Sequence, residues 1–413
     1  MSSSKVSIVK TNSNPGYEQV FQAVKQAVDL IGGLEDLIKP GQRVLINPSW
    51  VASPATRDSG ACTWPEVSRA VADLVRDAGA YPVIAESSAV GVDCAKVIEE
   101  SGHGALRDLG YEVLDLKQDT RAELKVPGGG VIYDRMPIWE QVIQADAIIA
   151  VPVLKTHDQT EMTCSIKKLK GLIPDKDKRN FHQRGVFEAV IDLMAALKPV
   201  LTVVDAIVCQ EGVGPVFGDP VEMDLILASK DLVAADAVCS TLIGFRPEEI
   251  KLTVNAARRG LGTMDMERIE VLGEKMESVS RRFVRPTEAN PVGEIDGFKL
   301  IHGEDACTGC RNTVLSALID MKSSDQLMYL PGVTVLVGGA EVPAGDEPGD
   351  IVTVGSQCFS KEKQGDRHAA GCPPNNVDVV QAIIGARAKV KRMYADQSDQ
   401  EPSNAGVSCG VHI

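Results

Sequence analysis

Aromatic side chains are scarce. Phe, Tyr and Trp make up 4% of the 413 residues, too few for the stacking platforms that single-stranded nucleic acids need. Positive charge is also short. The formal net charge is −14, which argues against binding to a phosphate backbone. No uncharged run reaches the roughly 18 residues of a spanning helix. The polar start, residues 1–5, leads straight into Val6-Ser7-Ile8-Val9 with no basic-then-apolar leader and no twin arginine. These absences predict a cytoplasmic protein with neither nucleic acid nor membrane among its partners. No internal repeat is visible, and Glu211-Gly212-Val213-Gly214-Pro215 lacks the spacing of a dinucleotide fingerprint.

What is present is an ordinary globular composition, 44% hydrophobic and 24% charged, long enough for two or three domains. Short apolar runs alternate with helical periodicity. Strands are predicted at 6–9, 43–48, 81–86, 147–154, 201–205, 225–228 and 269–272. Helices are predicted at 17–31, 65–78, 185–197 and 231–242, the last capped by Asp231. This order predicts an α/β fold: a parallel-sheet, Rossmann-like first domain over residues 1–290. A smaller α/β domain follows over 298–394, and a polar tail over 395–413. A homo-oligomer is compatible with the composition.

The densest chemistry lies at 145–182. The apolar run 147–154, broken only by Pro152, reads as a strand buried on both faces. It ends in Lys155-Thr156-His157, and ligands of open α/β sheets bind at such strand ends. Met162, Ile166, Leu169 and Ile173 then share one helical face, with Lys167 and Lys170 together and Lys168 pointing elsewhere. His182 is expected in a basic loop beyond. A cluster of this kind suits a small anionic substrate, carboxylate or phosphate, with an imidazole or amine moving protons. The candidate catalytic residues are His157, His182 and Lys167. Lys155, Lys168, Lys170, Asp205 and Glu211 are candidates for binding substrate, the two carboxylates by orienting a histidine or binding a cation. A solvated lysine face with incidental histidines is the plainer alternative, as is a turn-capping Asp205 with Asp236 facing solvent. The glycines of 212–214 would let backbone approach a ligand.

The chain has ten cysteines. Cys62, Cys94, Cys164, Cys209 and Cys239 are scattered, and Cys409 lies in the tail as an incidental thiol. Cys307, Cys310, Cys358 and Cys372 are separated by gaps of two, 47 and 13 residues. Each sits at the end of a predicted element: before a helix 311–321, after a strand 351–354, and before a helix from 377 to about 394. Four thiolates suit a 4Fe-4S cluster or a zinc ion. The spacing and the proline after Cys372 favour the cluster; unmetallated core thiols and a thioredoxin-like couple are the alternatives.

Several runs together resemble the domain of unknown function 362 family. They are Ile149-Ala150-Val151-Pro152-Val153-Leu154-Lys155-Thr156-His157, Ser165-Ile166-Lys167-Lys168-Leu169-Lys170-Gly171-Leu172-Ile173-Pro174, His182, Asp205-Ala206, Glu211-Gly212-Val213-Gly214-Pro215, Ala228-Ser229-Lys230-Asp231 and Ala234-Ala235-Asp236-Ala237. The resemblance spans roughly residues 5–275. It departs at Asn47-Pro48-Ser49, where members commonly show Lys-Pro-Asn. Members often carry iron–sulfur domains, which the resemblance implies for the second domain here. A weaker similarity is to the lactate racemase family, whose His, Lys and His follow the order of His157, Lys167 and His182, although the Gly-Gly-Arg before that lysine is missing. It implies a nickel-pincer nucleotide on the lysine and histidines that bind nickel or move protons. The expected functions are thus an iron–sulfur enzyme of oxidoreductase or isomerase/lyase type, a non-catalytic electron carrier with a redox protein partner, or a zinc-stapled binding protein.

Overall fold

The computed structural model describes residues 3–53, 55–288, 291–304, 306–345 and 350–388. The expected tail at 395–413, with Cys409, lies outside them. Among the described residues, twelve strands form the first unit. They are β1 (Ser4–Lys10), β2 (Arg43–Pro48), β3 (Tyr81–Glu86), β4 (Glu112–Asp115), β5 (Arg121–Lys125), β6 (Arg135–Trp139), β7 (Ala147–Val151), β8 (Val153–His157), β9 (Glu161–Thr163), β10 (Leu201–Glu211), β11 (Asp219–Ser229) and β12 (Ile269–Gly273). Ten of them make one sheet in the order β12-β1-β11-β10-β7-β2-β3-β4, with β8 joined to β10 and β9 joined to β8. Strands β5 and β6 pair separately.

The sheet is α/β, as expected, and mostly parallel. The reversals are β11, which runs antiparallel to both β1 and β10, and β9, antiparallel to β8. The glycine run 212–214 makes the turn between β10 and β11. A Cβ on Gly214 would sit 2.1 Å from the carbonyl oxygen of Thr156. The close approach that Gly214 permits is therefore to β8 rather than to an open ligand site.

Side chains alternate between two cores because a strand has period two. Ile46 and Ile84 face helices Tyr17–Leu30 and Pro65–Asp77 through Val20, Val24, Val67 and Val71. Their neighbours Leu45 and Val83 face helix Val186–Leu197 through Val190 and Leu193. Both faces are buried, so the strands read as continuous apolar runs.

A second, smaller unit carries β13 (Lys299–His302), β14 (Val333–Val337), β15 (Asp350–Val354) and β16 (His368–Ala369), all parallel in that order. Helices Thr308–Ser323 and Asn376–Ile384 pack on it through Val314, Leu318 and Val380. The units meet where Asn312 donates to His157 O at 3.3 Å and to Glu161 Oε1 at 3.4 Å. No helix among the described residues is long and apolar enough to cross a membrane.

Candidate functional site

The apolar run expected as one strand is two. Pro152 has no N–H to give to a ladder, and the chain shifts there from β7 to β8, so that β10 pairs first with β7 and then with β8. Lys155, Thr156 and His157 consequently lie within β8 rather than beyond it, all buried. Lys155 donates to the carbonyl of Ala61, and burial pulls its pKa down to about 8. Thr156 Oγ1 donates to Gly212 O at 2.8 Å.

The helix expected to start near Met162 begins instead at Ser165. Met162 belongs to β9, and helix Ser165–Lys168 runs into a tight turn, Leu169–Leu172. Asp236 is what starts it. This buried carboxylate accepts from Ser165 N at 2.7 Å and Ile166 N at 3.3 Å, satisfying donors that a helix leaves free at its first turn. It does not face solvent.

Lys168 forms a buried ion pair with Glu86 at the end of β3. Burial raises the Glu86 pKa and lowers that of Lys168, while each charge steadies the other. Asn47 Nδ2 also donates to Glu86, at 2.5 Å. A Cβ on Gly171 would lie 1.9 Å from Glu86 Oε1, so only glycine lets this turn pass the carboxylate. Helix Asp175–Arg184 follows, and His182 lies on it rather than in a loop. The same helix supplies Lys178, which donates to Ser87 O at 2.9 Å and Ser88 O at 2.6 Å and pairs with Asp175 at 3.2 Å.

These elements wall a cavity of ≈ 570 Å³. The first unit contributes Lys155, His157, Lys167, Lys168, Lys170, Lys178 and Arg179, together with Glu86 and Asp158. The second contributes Asp320, Asn375, Asn376 and Asp378. Lys167 differs from the other cations. Among the described residues no acceptor takes a hydrogen bond from its ammonium, and Asp158 is the opposite charge acting on it; burial lowers its pKa to about 7. Burial and Lys167 push Lys170 well down. Burial, then Lys167, lowers His157 to about 4, so its ring is neutral at pH 7. His157 Nδ1 lies 2.9 Å from both Gln159 N and Asp158 Oδ1. It can accept from the first or donate to the second, and the two arrangements put the proton on opposite ring nitrogens.

Asp205 and Glu211 are not in the cavity lining. Asp205 accepts from Trp64 N at 2.8 Å, at the start of helix Pro65–Asp77, and from Ile207 N at 3.1 Å. Burial raises its pKa to about 7. Glu211 accepts from Val284 N at 2.9 Å and pairs with Arg281 at 3.3 Å. The sequence pattern missed Lys178, Arg179 and the wall from the second unit. The strand ending at Glu86-Ser87-Ser88 was the one local signal for that side of the cavity.

The four cysteines stand at element ends. Cys307 is the N-cap of helix Thr308–Ser323, which starts earlier than expected and takes Cys310 into its first turn. Cys358 follows β15, and Cys372 precedes helix Asn376–Ile384. Cys310 donates to the Cys307 sulfur and, with the N–H groups of Cys310 and Gly309, lowers Cys307 to about 5. The same bond pushes Cys310 well up, with burial and the charges of Cys307, Cys358 and Cys372 adding to it. The Cys307 charge also helps to raise the Cys372 pKa, after burial. Among the described residues no group of three or more His, Cys, Asp or Glu side chains is arranged as a formed metal site.

Residues 44–241 match the family described as Domain of unknown function (DUF362). The Thylakoid-associated protein sll1697 of Synechocystis sp. (strain ATCC 27184 / PCC 6803 / Kazusa) is 29% identical over 297 residues, which is 70% of this chain and 89% of that protein. The lactate racemase apoprotein from Thermoanaerobacterium thermosaccharolyticum is 13% identical, with a TM-score of 0.39, over 59% of this chain. The match spans 57% of that chain, a likeness too distant to carry an argument.

Proposed function

We propose that this chain, whose residues 44–241 match the DUF362 family, is an enzyme acting on a small anionic substrate in the cleft between its two units. The observation that carries this reading is Lys167, a cavity-lining ammonium with no acceptor among the described residues. Desolvating a cation costs free energy unless something compensates it, and a bound carboxylate or phosphate would do so. Lys155 and Lys170 extend the cationic wall. His157, neutral at pH 7, and Lys167, poised near 7, are suited to moving a proton at a carbon beside the anionic group. His182 belongs to the same proposal by its position on helix Asp175–Arg184. The reading takes the protein to work in the cytoplasm, where thiols stay reduced.

Cys307, Cys310, Cys358 and Cys372 fit a 4Fe-4S cluster by the chemistry of the donor set, four thiols that already influence one another. Such a cluster would supply one-electron transfer. A second reading, an electron carrier without catalysis, is favoured by the exposure of Cys307 and Cys372; zinc would suit the same thiols.

Calorimetric titration of the purified chain with inorganic phosphate and with malonate tests the first reading. Binding is expected, and Lys167→Met should weaken it about tenfold, the size of one charge-assisted hydrogen bond. No binding by the parent chain, or equal binding by the variant, rejects it. Anaerobic iron and acid-labile sulfide analysis separates the cluster from zinc.

A further inference from the structure

Resting on the anion-binding reading above, we propose that the substrate carries an amine as well as its anionic group, and lies across the cleft with its ammonium between Asp158 and Asp320. The two walls of the cavity differ in sign. Lys155, Lys167 and Lys170 come from the first unit, Asp320 and Asp378 from the second. Asp158 sits between β8 and β9, 8% exposed. Its ion-pair partner is His157, a ring that burial keeps neutral at pH 7, and its charge also acts on Lys167 and Lys170. Asp320 accepts from Asn376 Nδ2, a neutral donor. Burial and the Asp158 charge together raise its pKa to about 7. Two carboxylates therefore repel each other across the border between the units. Among the described residues neither Asp320 nor Asp378 forms an ion pair.

A ligand with negative charge alone would answer the lysines and leave this repulsion in place, and would add to it. An ammonium relieves it, and its N–H groups find acceptors in both carboxylates. Two other atoms of the lining wait for polar groups. Trp50 Nε1 and Thr163 Oγ1 are buried without partners among the described residues, on side chains 0% and 6% exposed. The indole N–H can only donate, which suits an oxygen of the anionic end. The ligand class is then a small amino acid with a second anionic group.

The test uses a matched pair of probes on the full chain. O-phosphoserine and 3-phosphoglycerate share carboxylate and phosphate, and differ in an ammonium against a hydroxyl. Calorimetry should find O-phosphoserine at least about tenfold tighter, the worth of a charge-assisted pair. Asp320→Asn, which keeps an acceptor for Asn376, should reduce that ratio to near one. Asp378→Asn, at an exposed residue of the cavity lining, should reduce it partly. Melting curves check that each variant is folded. Equal affinity of the parent chain for the two probes overturns the amine proposal. So does an unchanged ratio in a folded Asp320→Asn chain. If inorganic phosphate binds through Lys167 while the ratio is one, the anion reading stands and the amine is wrong. If neither probe nor phosphate binds, both fall together.

Discussion

The lysine cavity and the cysteine cluster are built on opposite principles. In the cavity most charges are tied to protein groups brought from several elements. Lys168 is held by Glu86 of β3, Lys178 by Ser87, Ser88 and Asp175, and Lys155 by Ala61. Lys167 feels the Asp158 charge, but among the described residues no acceptor takes a hydrogen bond from it. In the second unit Cys310 donates to the Cys307 sulfur, and the Cys307 charge reaches Cys372. The first site is pre-organised by its scaffold. The second is the set of thiols proposed above to hold an added centre. A desolvated ammonium must be fixed by partners during folding, whereas thiols are small and only weakly polar and tolerate one another until a metal deprotonates them.

The sharpest break in that contrast would come from Cys310→Ala. After anaerobic incubation with iron and sulfide, bound iron should fall from a stoichiometric level to background, while phosphate binding in the cavity is retained. Iron uptake equal to that of the parent would remove the cysteines as cluster ligands.

Next in size is Lys168→Met. It leaves Glu86 buried without its counter-charge, and should lower stability by about 3–5 kcal/mol in urea unfolding. The loss should be larger at pH 8 than at pH 5. Burial holds the Glu86 pKa above its unfolded value, so its proton is favoured in the folded state and stability falls as pH rises and the carboxylate ionises. A variant as stable as the parent at pH 8 would show that the pair is not what anchors the turn.

Gly171→Ala should be milder, a loss of about 1–3 kcal/mol from overpacking against Glu86. Removing that carboxylate together with the change, in Glu86→Gln, would not relieve it, because the clash is with side-chain atoms that glutamine also has. Full stability of Gly171→Ala in thermal unfolding would mean that Glu86 can swing away.

The smallest effect is a slope. Phosphate affinity should decline as pH rises above about 7, by at most about tenfold per unit, since Lys167 has lost its proton there and binding must restore it. Affinity flat between pH 7 and 9 would exclude Lys167 as the titrating partner.

Much of the scaffold was legible because strand and helix periods are local. The buried runs at 43–48 and 81–86, the capping Asp231 and the helix over 186–197 follow from apolar spacing and turn chemistry. The split at Pro152 was visible as a residue but not as a shift of partner, because which strand lies beside β10 is decided by the whole sheet. Met162 fits a helical face equally well, and its place on β9 came from pairing with Thr156. Asp236 is 71 residues from Ser165, and no periodicity links a carboxylate in one helix to the first turn of another.

The order of residues alone determined that lysines and a histidine would gather near the end of a buried strand, and that four cysteines would stand at element ends. Both depend on short-range spacing. Only tertiary structure decided which lysine finds no hydrogen-bond acceptor among the described residues, that Asp205 and Glu211 serve other contacts, and that carboxylates of the second unit close the cavity. Those outcomes depend on burial and on charges brought together from distant parts of the chain, and electrostatic free energy is set by distance in space and by exclusion of water.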